Sequence, residues 1–334
     1  MLSWLALGVC AVLIVASGVQ LAKYADCISE KTGLGRTWVG VLLLASITSL
    51  PELISAISAV TVNDLPDIAV GSIAGSNMFN LVIVSLVDAA AGSIPLSRQV
   101  HEGHILSASF GSLLCALVCL NILASRFIPT VGWIGAGSLV LLALYLVAMR
   151  SVFDHERKRI AQFVAELAAE AEQQYGEIST PKAWTMLTLN AAVVVGAAMF
   201  LPSIGDRIAV ETGLGETFVG NFFLAAVTSM PEVVVSLAAV RLGALDMAVG
   251  NVLGSNLFNI CVLALADCFY LRGPLLSAAS HNNVISLVSA IAMTAVAVAG
   301  LSYRSEKKRL LLAWDALGIL VLYVGSAGLL YLMR

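Results

Sequence analysis

Thr48-Ser49-Leu50-Pro51-Glu52 returns 180 residues later as Thr228-Ser229-Met230-Pro231-Glu232. The agreement extends beyond the five residues. Between 33–60 and 213–240, 14 of 28 positions are identical, including Gly33/Gly213, Gly35/Gly215, Thr37/Thr217 and Gly40/Gly220. After a slip of one residue, 67–80 matches 246–259, where Gly-Ser-Asn-Met-Phe-Asn (75–80) aligns with Gly-Ser-Asn-Leu-Phe-Asn (254–259). Apolar chains match by chance at Leu, Val and Ala. They do not match by chance at Thr, Ser, Pro, Glu and Asn in one order and spacing, so the chain contains an internal duplication.

The duplicated phrases lie in apolar surroundings. The 334 residues are 59% hydrophobic and 12% charged, roughly half the charge fraction of a soluble domain. Runs of the roughly 20 apolar residues that span a bilayer recur at 2–25, 36–61, 66–92, 104–124, 128–150, 184–205, 216–242, 246–271, 282–303 and 311–333. They are continuous and not alternating, which predicts helices and not a barrel. No basic residue precedes the first run, and it is longer than a signal's apolar core, so it is expected to be a retained helix.

Five spans separate the two copies. Five is odd, so the second copy enters the membrane from the opposite side. The expected fold class is therefore an all-α integral membrane protein of ten transmembrane helices in two inverted five-helix repeats, 1–150 and 183–334. Helices 2 and 7 are broken at their prolines. With ten spans, 14 of the 18 Lys and Arg residues fall on one side and 4 on the other. That asymmetry places both termini outside the cell membrane and 151–182 in the cytoplasm. The 151–182 segment reads as a linker helix with Ile160, Phe163, Val164 and Leu167 on one apolar face.

Pro51 and Pro231 have no N–H, so each frees a carbonyl one turn back. Freed carbonyls at membrane depth are tolerated only against protein or a polar cavity. Glu52 and Glu232 follow directly. A carboxylate near the bilayer centre costs at least a few kcal/mol and needs a partner, yet no Lys, Arg or His lies in the middle of any span. A bound cation is the missing charge. Ser76 and Asn80 share one helix face, as do Ser255 and Asn259, and they add hydroxyl and amide oxygens. Such hard ligands suit Ca²⁺ or Na⁺, and a flexible oxygen cage suits Ca²⁺ better than Mg²⁺. Gly71/Gly75 and Gly250/Gly254 are spaced for close helix approach.

The paired Thr-Ser-x-Pro-Glu and Gly-Ser-Asn-x-Phe-Asn motifs, spanning 33–80 and 213–259, resemble the alpha repeats of the cation/calcium exchanger superfamily, especially its prokaryotic sodium/calcium exchangers. The resemblance implies electrogenic exchange of Na⁺ for Ca²⁺ by alternating access. It makes Glu52 and Glu232 the central carboxylates and gives calcium the carbonyls of Thr48 and Thr228. It completes the sodium sites with Ser49, Ser76, Ser229, Ser255, Asn80 and Asn259, and makes spans one and six a sliding pair. The ions are cargo, and no cofactor is expected. The expected surroundings are a lipid bilayer, with a monomer sufficient. There are two departures from the pattern. Ile47 and Val227 stand where many relatives have Gly. Asn259 stands where some relatives, potassium-dependent ones included, carry Asp. The alternative counter-ion is H⁺.

Other features read as secondary. Cys10, Cys27, Cys115, Cys119, Cys261 and Cys268 lack metal-ligand spacing and are expected to pack. His101-Glu102-x-His104 brings its second His too early for a zinc motif and is expected in a solvated loop. Asp88 and Asp267 are expected as helix-end charges lining an exit path. Asp64, Asp67, Asp206, Glu211 and Glu216 are expected as wet residues on the outer side. Nothing basic and aromatic suggests nucleic acid. A channel would be built around a continuous pore, and an intramembrane enzyme would need catalytic partners for the glutamates that the sequence lacks.

Overall fold

The computed structural model describes residues 2–62, 64–166, 175–201, 203–204, 207, 225–308 and 311–332. Helix α1 runs over Leu2–Thr32 and ends at Gly33, whose φ of +67° is the left-handed turn a glycine adopts freely. Helix α2 (Arg36–Trp38) passes into a π-helical stretch, Val39–Leu44, and then α3 (Ala45–Thr48). At Ser49 (φ −93°, ψ 6°) the helix breaks, and α4 (Leu50–Thr61) restarts with Pro51 in its first turn, where a missing N–H costs nothing. The two parts, Arg36–Thr48 and Leu50–Thr61, bend by 41°.

Helices α5 (Pro66–Ala90), α6 (Leu96–Gln99), α7 (Gly103–Leu123), α8 (Ala136–Glu166) and α9 (Thr180–Ala198) follow. Then come α10 (Ala225–Thr228) and α11 (Met230–Arg241), again parted at a serine, Ser229 (φ −83°, ψ 11°). Helices α12 (Leu245–Phe269), α13 (Leu275–Ala278), α14 (Asn282–Tyr303) and α15 (Trp314–Leu332) complete the described chain.

Seven of these helices are long and apolar enough to cross a membrane: α1, α5, α7, α8 up to Arg157, α12, α14 and α15. The bent pair makes an eighth. Of the other two expected spans, the sixth is helical over Thr180–Ala198 but is not one of the seven. The N-terminal part of the seventh lies outside the described residues. The fifth span starts later than the expected 128, because Thr130–Val131 and Ile134–Gly135 pair as two short strands (β1, β2) around Gly132. The linker does not begin a separate helix either, since α8 continues unbroken through 151 to Glu166. The expected apolar face of Ile160, Phe163, Val164 and Leu167 lies outside the described side chains.

Helices α5 and α12 form the centre. Each is 78% buried over its most apolar window, against 11% for α15 at the edge. Helix α12 packs on α5, on the π-helical stretch, and on α11, α7, α8 and α4. Its glycines permit the closest of these approaches. A Cβ on Gly250 would stand 2.8 Å from the carbonyl oxygen of Thr37, and one on Gly254 would run into Val41. Helix α1 packs along α9 and α11. All six cysteines are free, and five are buried.

Candidate ion-binding site

The two breaks bring their serines and glutamates together at the centre. Ser49 Oγ donates to Glu232 Oε1 at 3.0 Å, and Ser229 Oγ donates to Glu52 Oε1 at 3.5 Å. Each serine thus serves the glutamate of the other copy. The threonines follow the same crossing, with Thr228 beside Glu52 and Thr48 beside Glu232. Ser255 Oγ adds a second donor to Glu232 Oε1 at 3.4 Å and lies 3.5 Å from Thr48 Oγ1. Thr48 and Thr228 each also bond their own helix, at Ala45 O (3.4 Å) and Ala225 O (3.2 Å).

The amides form a second tier. Asn80 Nδ2 donates to Asn256 Oδ1 at 3.0 Å, and Asn259 Nδ2 donates to Asn77 Oδ1 at 2.9 Å. Asn256 Nδ2 also reaches Asn77 O at 3.2 Å. With their N–H groups tied to the opposite copy, Asn80 and Asn259 turn their oxygens free. Five buried oxygens here have no hydrogen-bond partner: Glu52 Oε2, Glu232 Oε2, Asn80 Oδ1, Asn259 Oδ1 and Ser76 Oγ. None of the ion pairs among the described residues includes Glu52 or Glu232. Buried polar atoms are normally satisfied, and a carboxylate left partly bare in an apolar interior is costly. Unpartnered carboxylate, amide and hydroxyl oxygens are the donor set that a desolvated hard cation takes.

All ten residues singled out in the sequence are buried here: Thr48, Ser49, Glu52, Ser76, Asn80, Thr228, Ser229, Glu232, Ser255 and Asn259. Four others were missed. Asn77 and Asn256 hold the outer amides. Asn251 and Ser236 form a chain from the site, in which Thr48 Oγ1 donates to Asn251 Oδ1 at 3.3 Å and Asn251 Nδ2 to Ser236 Oγ at 3.0 Å. The two asparagines of the motif were visible as repeated letters. Asn251 and Ser236 carry no such signal, because their counterparts differ.

Several peripheral readings are corrected. Asp88 and Asp267 are helix-end charges, as expected, but their oxygens are taken up by the fold. Asp88 accepts the N–H groups of Leu96 and Ala313, both at 2.8 Å, and pairs with Lys308 at 3.2 Å. Asp267 accepts those of Leu275 (2.5 Å) and Gly135 (2.9 Å). Each caps the short helix that follows it, α6 or α13, and also holds the chain entering a helix of the other half, α15 for Asp88 and α8 for Asp267. His104 is not solvated but fully buried, with Nε2 2.9 Å from Asp246 Oδ1, which also accepts His101 N at 2.7 Å. Asp67, at the matching place in the first copy, accepts Ser280 N and, at 3.2 Å, Asn283 Nδ2. Asp64 pairs with Arg272, while Asp206, Glu211 and Glu216 lie outside the described residues.

Known proteins give this geometry a setting. Residues 2–153 and 182–332 match the family described as sodium/calcium exchanger protein. Sodium/calcium exchanger MaX1 of Methanosarcina acetivorans is 25% identical over 349 residues, 96% of each chain. Inner membrane protein YrbG of Escherichia coli is 26% identical over 294 residues, 84% of each chain. A solved structure of the sodium-calcium exchanger NCX_Mj, soaked with Na⁺ and Sr²⁺, superposes with a TM-score of 0.73 over 98% of both chains at 21% identity, and so shares the fold. With its family pattern matched over most of its length, this chain belongs to the sodium/calcium exchanger protein family of multi-pass membrane transporters.

Proposed function

We propose that the chain is a secondary-active antiporter that exchanges Ca²⁺ for Na⁺ by alternating access. One observation carries the reading: Glu52 and Glu232 each keep one buried oxygen without a partner, and Asn80 and Asn259 of the same two motifs each keep a bare buried oxygen as well. Two carboxylates balance one Ca²⁺, and the same hard oxygens suit Na⁺, so they can hold either cargo in turn. Ser49, Ser229, Ser76 and Ser255 supply hydroxyls, and Thr48 and Thr228 stand at the breaks where helical carbonyls are freed.

In this reading the architecture is ten transmembrane helices in two inverted repeats, 1–150 and 183–334, with both termini outside and 151–182 cytoplasmic. The crossed bonding of the two motif copies supports it, since each half completes the other's site. The packing of α1 on α9 and α11 supports the first and sixth spans as the sliding pair. That MaX1 and NCX_Mj are sodium/calcium exchangers supports Na⁺ as the counter-ion.

The test is ⁴⁵Ca²⁺ uptake into proteoliposomes loaded with Na⁺, with K⁺-loaded and pH-gradient controls. Uptake that requires the outward Na⁺ gradient is expected. Uptake driven by the pH gradient alone would replace Na⁺ by H⁺, and no flux under any gradient would remove Ca²⁺ as cargo.

A further inference from the structure

Most of the central site has a mirror. Ser49, Thr48, Glu52, Ser76, Asn77 and Asn80 face Ser229, Thr228, Glu232, Ser255, Asn256 and Asn259, the same residue types throughout. Some identical residues differ in bonding. Ser255 reaches Glu232 at 3.4 Å, whereas Ser76 Oγ has no partner. A difference of conformation between identical residues can be exchanged when a carrier with two inverted halves turns over. A difference of residue type cannot.

The chain from Thr48 through Asn251 to Ser236 is such a difference. All three side chains are buried, and Ser236 Oγ ends the chain on Ala248 O at 3.4 Å. At the matching positions of the first copy stand Ser72 and Ala56. Ser72 Oγ turns back to its own helix at Ala69 O, 3.2 Å, and Ala56 has no side-chain polar group. Among the described residues Thr228 therefore has no counterpart of the contact that Thr48 makes with Asn251. Thr48 sits immediately before the helix break, so its anchoring fixes both its hydroxyl and the position of its carbonyl.

We infer that Asn251, held by Ser236, is a positioning residue that makes the ion site bind its cation with different affinity on the two faces of the membrane. The inference rests on the exchanger reading above. If the halves were identical, the inward- and outward-facing states would be one structure seen from opposite ends, and the two affinities would be equal. A hydrogen bond kept in one facing state and lost in the other changes their ratio about three- to tenfold.

The experiment measures the apparent KM for Ca²⁺ in right-side-out and in everted membrane vesicles. The unmodified protein is expected to give a ratio at least about threefold from one. The double variant N251S/S236A, which gives both halves the Ser–Ala pair, brings the ratio toward one. The four-fold variant A56S/S72N/N251S/S236A, which moves the Asn–Ser pair to the other half, inverts it. General damage would raise KM on both faces together and leave the ratio alone. That result overturns the inference, as does a ratio of one in the unmodified protein. Should N251S/S236A fail to accumulate, A56S/S72N puts the pair in both halves and must itself bring the ratio toward one. Exchange with an unmoved ratio removes this inference alone, whereas vesicles with no Ca²⁺ flux remove the exchanger reading and this inference with it.

Discussion

Glu52 and Glu232 are 4% and 0% exposed, and Asp88 and Asp267 are 2% and 0%. The four carboxylates are equally buried, occur in matching pairs, and are treated in opposite ways. Each oxygen of Asp88 and Asp267 accepts a backbone N–H, and Asp88 has a lysine as well. Each glutamate has one oxygen that accepts serine hydroxyls from the fold and one without a hydrogen-bond partner. Burial therefore does not mark the site. The withheld partners do, because a saturated carboxylate stabilises the fold, while a starved one is left to be completed by a cation.

The comparison predicts a double dissociation. Glu52→Gln and Glu232→Gln should each lower Ca²⁺ flux at least about 100-fold, more than a supporting residue of a metal site costs. Neither should lower the unfolding temperature in detergent, because a neutral isostere removes an uncompensated buried charge. A clear loss of thermal stability with flux retained would reverse the assignment of the two pairs. Asp88→Asn and Asp267→Asn should do the opposite. The new NH₂ opposes a backbone N–H, which costs about 1–3 kcal/mol. It should show as a lower unfolding temperature with the KM for Ca²⁺ unchanged in the protein that folds.

Smaller effects sharpen the picture inside the site. Ser49→Ala and Ser229→Ala each remove one donor to the opposite glutamate, about 1 kcal/mol, or roughly a fivefold change in KM. Ser49→Ala should be the larger, given 3.0 Å against 3.5 Å. Equal flux curves for both would show that neither bond positions its carboxylate. The smallest effect is expected at the aspartates that begin α5 and α12. Asn283 serves Asp67 in one copy where His104 serves Asp246 in the other, so His104→Asn should cost under about 1 kcal/mol. A larger shift in the melting curve would mean the histidine ring has a role that an amide cannot fill.

The duplicated phrases made the glutamates and their oxygen neighbours legible, because residues that are costly in a bilayer stood out twice at the same spacing. The breaks at Ser49 and Ser229 followed from the prolines. What could not be read was where hydrogen bonds closed over long distances. Asp88 near a helix end looks the same in sequence whether it faces water or the N–H of Ala313, and only the fold brings those two together. His104 read as solvated because its neighbours are polar, yet its partner, Asp246, belongs to the other half. Asn251 and Ser236 were invisible for the opposite reason: self-comparison rewards identity, and their meaning lies in being different from Ser72 and Ala56. The strands before α8 and its run to Glu166 were missed because hydropathy locates the bilayer, not the ends of a helix.

The crossed donation also has a consequence for biosynthesis. The hydroxyl that serves Glu52 belongs to Ser229, 177 residues further along. At ordinary rates of chain elongation it leaves the ribosome on the order of ten seconds or more after the glutamate does. Throughout that interval the first half is already entering the lipid with its acid unattended. Early insertion is therefore carried by the apolar helices of the first half, α1, α5, α7 and α8, and not by the acid's partners. The binding centre forms late, as one of the last acts of assembly, when the second broken helix arrives to complete the first.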